Sequence, residues 1–286
     1  MCATQPPQRG LCAFWQECRD TMLAMALVAG LFGLIIGSFT NVLVLRFGAR
    51  GLGGRSSCPR CGHLLAWYDL VPVLSWIALR GRCRYCGTRI SVQYPLVEIL
   101  MAVLFALVWH APFPAAPLFR VGFAVIIVLL VAIAVYDMRH TIIPDPWVYS
   151  FAGLALLIGA SMTPHYLIPL LIAGPLSALP LLILWGISRG RWMGFGDVKL
   201  ALGMGWLLGP IAGPFSVLFA FVLGSATLVP LMLAARAVTH MRTRRAGVVG
   251  LTMKSEVPFG PFLIASTLII WIALLYGFDI PALAGW

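Results

Sequence analysis

Two aspartates stand where long apolar runs of this 286-residue chain give way to short polar segments. They are Asp137, in "VYDMRHTIIPDP", and Asp197, in "GFGDVKL". Ionisable groups at the edge of an apolar span are candidates for function by default. Two carboxylates brought within a few ångströms cannot easily both ionise, so they share a proton. One then acts as general base on a water while the other protonates or polarises a scissile carbonyl. The flanking glycines Gly194 and Gly196 would permit positive φ and close approach of a substrate backbone. Lys199 would lower the charge cost of the pair or reach to lipid headgroups.

Simpler readings stand beside this one. Asp197 could cap the helix that begins near it, and Asp137 could be a loop acid paired with Arg139. Asp145 sits in "PDP", which is turn chemistry, so a structural role is favoured for it. Glu98, inside the start of an apolar run, and Glu256, just before another, are candidates for function by the same depth argument.

A second constellation has a different chemistry. Cys58, Cys61, Cys83 and Cys86 form C-x2-C-x21-C-x2-C. Four thiolates in two such pairs can close a tetrahedron around one zinc, each sulfur about 2.3 Å from the metal. Four cysteines leave no open coordination position, so the zinc would be structural, pinning a polar, Arg-rich loop. Four reduced thiols in two reverse turns are the alternative. Cys2, Cys12 and Cys18 are odd in number and read equally as a partial disulfide or as free thiols.

The elements that must position these groups are membrane helices. The chain is 61% hydrophobic and 10% charged, against roughly 45–50% and 25% in soluble domains. The apolar runs are continuous rather than alternating, which points to helices and not to barrel strands. The pattern predicts an all-α polytopic membrane protein with about eight spans, near 22–45, 95–111, 118–136, 147–163, 165–187, 198–209, 211–235 and 259–278. Gly209-Pro210 is expected to break the sixth from the seventh. The first run exceeds the 7–15-residue core of a cleavable signal and reads as a span. With this topology all but Arg9, Arg19 and Arg120 of the twenty Lys and Arg residues share one face. That asymmetry marks the face as cytoplasmic and explains the net charge of +11 without nucleic acid. The expected organisation is an extracytoplasmic segment at 1–21, a first span at 22–45, a cytoplasmic tetracysteine loop at 46–94 and a membrane core at 95–286.

Seven blocks in order carry a resemblance: "GSFTNVLVLR" (37–46), "CPRC" (58–61), "DLVPVLSWIALRGRCRYC" (69–86), "ISVQYPLVEIL" (90–100), "YDMRHTIIPD" (136–145), "GFGDVKLALG" (194–203) and "VPFGPFL" (257–263). The chain resembles the bifunctional prepilin leader peptidase/N-methyltransferase family of type IV pilus and type II secretion systems. The resemblance implies an inner-membrane aspartic protease of the GxGD type. It would remove the leader of prepilins or pseudopilins at the cytoplasmic face, then methylate the new N-terminal residue, usually phenylalanine, with S-adenosylmethionine. It implies Asp137 and Asp197 as the catalytic pair and Cys58, Cys61, Cys83 and Cys86 as the zinc-type motif; a methyl-donor site would lie among the cytoplasmic loops, with Glu98 and Glu256 as candidates for holding that cofactor and a helix-end structural role as the alternative for each. The chain departs from the family pattern at Gln93 and in the short stretch between Arg46 and Cys58. Two alternatives are a peptidase without methyl transfer and a membrane transporter. The transporter would place its acids near the midplane rather than at one edge.

Overall fold

The computed structural model describes residues 6–48, 53–112, 116–242 and 258–278. Glu256 and Cys2 lie outside them, as do the side chains of Cys12 and Cys18. The helices are α1 (Pro6–Arg46), α2 (Leu74–Ala78), α3 (Gln93–His110), α4 (Pro117–His140), α5 (Asp145–Met162), α6 (Leu167–Ser188), α7 (Phe195–Arg242) and α8 (Gly260–Leu275). Among the described residues, the only strand-like pairing is two isolated bridges, Ser57 with Leu64 and Arg82 with Arg89.

The chain is an all-α membrane protein. Its polarity is inverted relative to a soluble fold. Leu27, Val28, Leu31, Ile168 and Ile187 are exposed, while Thr40, Asn41, Glu98, Asp137, Asp197, Ser216 and Thr267 are buried. That arrangement suits a lipid solvent, where polar groups must be satisfied inside the protein. Five helical stretches are long and apolar enough to cross a membrane: Asp20–Arg46, Gln93–His110, Pro117–His140, Pro164–Ser188 and Phe195–Pro230. The shorter Gly260–Leu275 is also apolar. The expected span at 147–163 lies on α5, which is helical but falls outside those five.

Two compact units divide the chain between Ala132 and Ile133, inside α4. In the first, α1 and α3 pack antiparallel through glycines on one face of α1. A Cβ at Gly33 would lie 2.7 Å from the Met101 carbonyl oxygen, and one at Gly37 would lie 2.7 Å from Glu98 Cα. Small residues at three- and four-residue spacing let backbones approach in this way. Asn41, one turn beyond Gly37, ties the pair: its Nδ2 donates to the carbonyls of Gly37 (3.3 Å) and Tyr94 (3.2 Å).

In the second unit α6 and α7 meet by the same device. A Cβ at Gly205 would overlap the Ala173 carbonyl, and one at Gly213 would overlap Ser177 Oγ. α7 is two helices joined across a break at Gly209, whose φ of 87° and ψ of −179° are not helical. The break falls where Gly-Pro predicts it, because Pro210 can donate no helical hydrogen bond. Beyond it, helix continues to Arg242, about two turns past the expected end.

Candidate functional site

Asp137 lies in the last turn of α4. Its carbonyl accepts from the Thr141 amide (2.7 Å), and Thr141, at φ 53°, turns the chain out of the helix. The Asp137 side chain is buried, at 4% exposure, and accepts from the Gly260 amide at the start of α8. Asp197 is the third residue of α7, with Gly194 just before the helix. Its side chain, at 7% exposure, accepts from the Gly194 amide. This is half of a capping box, in which an acid in the first turn reaches back to an orphan donor. So Asp197 does cap its helix, and it is also one of two carboxylates close enough to interact electrostatically with each other. Both accept from a glycine amide at the start of a helix.

The glycines act differently from the sequence expectation. Neither Gly194 nor Gly196 has positive φ. A Cβ on Gly196 would lie 2.9 Å from Ile143 Cβ, so that space belongs to the protein's own side chain. Gly194 has more room: a Cβ there would make only ordinary van der Waals contacts, with Gly196 N at 3.8 Å and Asp197 Oδ2 at 3.9 Å. Lys199 is also placed differently. Its Nζ donates to Asp145 Oδ1 at 2.6 Å and lies 5.2 and 5.4 Å from the centres of the Tyr149 and Phe195 rings. It neutralises an exposed acid, not the buried pair.

Gly260 escaped the sequence reading, although its "VPFGPFL" block was noted. A Cβ there would lie 2.5 Å from Asp137 Oδ2 and 3.5 Å from Ile143 Cδ1. The signal was a glycine directly before proline at a helix start, where a bare amide is free to donate.

In the first unit the cysteines form two near-identical turns. Gly62 donates to the Cys58 carbonyl and Cys58 to the His63 carbonyl (2.9 and 3.0 Å); Gly87 donates to Cys83 and Cys83 to Thr88 (2.9 and 2.8 Å). Both closing glycines have positive φ, 69° and 68°. The four Sγ atoms lie within 4.8 Å of one another, with Cys58 and Cys86 3.8 Å apart. A zinc–sulfur distance near 2.3 Å gives a tetrahedral edge of about 3.8 Å, so the set fits zinc. Hydrogen bonds from the Thr88 side chain and then its amide draw the Cys86 thiol down to about 6, while, working against a hydrogen bond from the His63 amide, burial and the neighbouring Cys58 and Cys86 sulfurs push Cys61 up to about 11. The loop is braced by Asp69, which accepts from Arg84 Nε at 2.8 Å.

Glu98 is buried in the same unit. Its Oε2 accepts from the Val73 amide at 2.7 Å, and its carboxylate accepts from the Ser38 hydroxyl. Val73 pays for that aim: at φ 60°, ψ −51° it occupies a three-residue turn closed by Leu74 N to Pro72 O at 2.5 Å. Such a turn is strained at a β-branched residue by roughly 1–3 kcal/mol.

The comparisons with known proteins agree with this division. Residues 31–111 match the model of the bacterial peptidase A24 N-terminal domain, and residues 124–229 match that of the type IV leader peptidase family. A protein of Burkholderia pseudomallei (strain 1026b), named prepilin leader peptidase/N-methyltransferase, is 35% identical over 288 residues, covering 89% of this chain and 86% of that protein. A namesake from Pseudomonas aeruginosa is 30% identical over 286 residues, covering 89% and 91%. One from Myxococcus xanthus is 35% identical over 215 residues, covering 71% of this chain and 62% of that protein. No solved structure matches the chain. The chain belongs to the prepilin leader peptidase/N-methyltransferase family.

Proposed function

We propose that this chain is a bifunctional enzyme of the bacterial inner membrane. It cleaves the leader of type IV prepilins or pseudopilins, then methylates the new N-terminal residue. The observation that carries the peptidase half is the pairing of Asp137 and Asp197, both buried and each fixed by a glycine amide.

The chemistry follows from that pairing. A shared proton leaves one carboxylate ready to take a proton from water and the other ready to give one to the scissile carbonyl. The water oxygen bonds to the carbonyl carbon. The carbon–nitrogen bond then breaks, and the amine leaves with a proton from the dyad. The pair titrates as a unit. A prepilin is a membrane helix with a basic leader, so its scissile bond lies at the boundary where these acids sit. The basic loops favour the cytoplasmic side for that boundary.

We assign methyl transfer to residues 46–94, with Glu98 on the adjoining helix. Cys58, Cys61, Cys83 and Cys86 would hold a structural zinc that fixes the fold of this loop. S-adenosylmethionine would supply the methyl group as an activated sulfonium.

The test is purified enzyme in liposomes with a full-length prepilin, read by mass spectrometry of the product N-terminus. The expected product is truncated and carries one added methyl. Normal processing by both Asp137→Ala and Asp197→Ala overturns the peptidase assignment. Cleavage without the methyl increment selects the peptidase-only alternative.

A further inference from the structure

Among the described residues, one buried side-chain oxygen or nitrogen has no hydrogen-bond partner: Asn41 Oδ1. The orientation of this amide is fixed by its surroundings. Its nitrogen faces two carbonyls, those of Gly37 and Tyr94, and only an NH2 group satisfies both. The oxygen is therefore left as an acceptor at 2% residue exposure. An orphan buried acceptor is costly and calls for a donor.

A second acceptor lies one helical turn away. Tyr94 and Glu98 are four residues apart on α3, and Gly37 and Asn41 are four apart on α1, with Gly37 packed on Glu98. Glu98 receives the Val73 amide and the Ser38 hydroxyl. A carboxylate has about four lone-pair sites, so two such bonds leave acceptor capacity. The strained turn at Val73 holds the carboxylate in place. The rim is half-open, since Ser38 and Val73 are partly exposed. Leu74, next to Val73 in the chain, is an exposed apolar residue, at 66%.

An anionic acceptor, a neutral orphan acceptor and an apolar rim fit one ligand chemistry. We infer that Asn41, Glu98 and Ser38 form a seat for a primary ammonium at a chain terminus whose first side chain is apolar. An ammonium offers three N–H donors and a positive charge. S-adenosylmethionine also carries a primary ammonium, but beside an α-carboxylate that the Glu98 carboxylate would repel, whereas a chain terminus carries a neutral amide there, so the seat suits the amine that receives a methyl group. This inference rests on the proposed methyl transfer. It moves Glu98 from holding a cofactor to binding the processed N-terminus.

The test uses full-length zinc-loaded enzyme and a C-terminally labelled apolar peptide beginning with phenylalanine, read by fluorescence anisotropy. The free-amine peptide is expected to bind about tenfold tighter than its N-acetylated form, as charge-assisted hydrogen bonds would give. Glu98→Gln and Asn41→Leu should each reduce that preference to about twofold or less. Their affinity for the acetylated peptide should stay at the wild-type value, which reports an intact site. Equal binding of both peptides by the wild type overturns the proposal. So does a preference that survives both variants, or a loss that falls equally on both peptides. S-adenosylmethionine titrated alone should bind Glu98→Gln as tightly as wild type, and a tenfold loss there would reassign Glu98 to the donor. Methylation of the free-amine peptide is followed separately by mass spectrometry. Its absence in wild type, with the amine preference intact, removes the methyltransferase reading and leaves the seat. Its presence without an amine preference does the reverse.

Discussion

Asp197 and Glu98 are both buried carboxylates, yet they are fixed by different means. Asp197 is held by the first turn of its own helix, through an amide three residues away. Glu98 is held by Val73, 25 residues earlier in the chain, in a strained loop turn. The second unit builds its site from helix starts and glycine contacts. The first unit builds its site on a loop whose two cysteine turns meet at a zinc-sized cluster. The contrast teaches that one unit is pre-organised by helix packing, while the other rests on a loop whose four thiols could hold a metal.

The comparison breaks most sharply at the aspartates. Asp137→Asn and Asp197→Asn should each lower prepilin cleavage by about a thousandfold or more, as loss of general acid–base catalysis predicts. The mobility shift of prepilin in membranes measures it, with equal enzyme abundance as the control. Removing zinc tests the other side. Chelation should make residues 56–90 about tenfold more sensitive to protease, because metal binding carries the folding free energy of such loops. Helices α5–α8 should keep their protection, and simultaneous digestion of both regions would show that the dependence is shared. A narrower test separates two glycines. Gly260→Ala forces a methyl group against Asp137 and should lower cleavage about tenfold, the size expected from displacing a catalytic group by ~1 Å. Gly194→Ala would make only ordinary van der Waals contacts and should leave cleavage within about twofold, in line with the small effect of unconstrained substitutions. The smallest effect is expected at the exposed Lys199–Asp145 pair. Asp145→Asn should change stability by less than about 1 kcal/mol, as surface ion pairs do. A thermal melt showing a larger loss would give this pair a structural weight that its exposure argues against.

Much of the second unit was legible because its chemistry is written as contrast. An aspartate beside an apolar run stands out, and Gly209-Pro210 announces its own break. The tetracysteine cluster was legible because thiols in two C-x2-C pairs have few other uses. What stayed hidden depends on long-range contacts. Gly260 bonds to a residue 123 positions earlier, and nothing local marks it as a partner of Asp137. Lys199 and Asp197 are neighbours in sequence, yet a helix sends residues two apart to different faces. It reaches Asp145 instead. Ser38 and Asn41 sit within an expected span and look like small helix-packing residues. Only the antiparallel register of α1 on α3 shows that Asn41 meets Tyr94 and that Gly37 meets Glu98.

The turn at Val73 has a consequence for how such a protein responds to selection. Glycine tolerates a backbone at φ 60° with far less strain. A directed-evolution experiment scored on heat resistance alone would therefore enrich Val73→Gly. The same change would loosen the amide that aims at Glu98, so clones gaining thermal tolerance should lose grip on the amine.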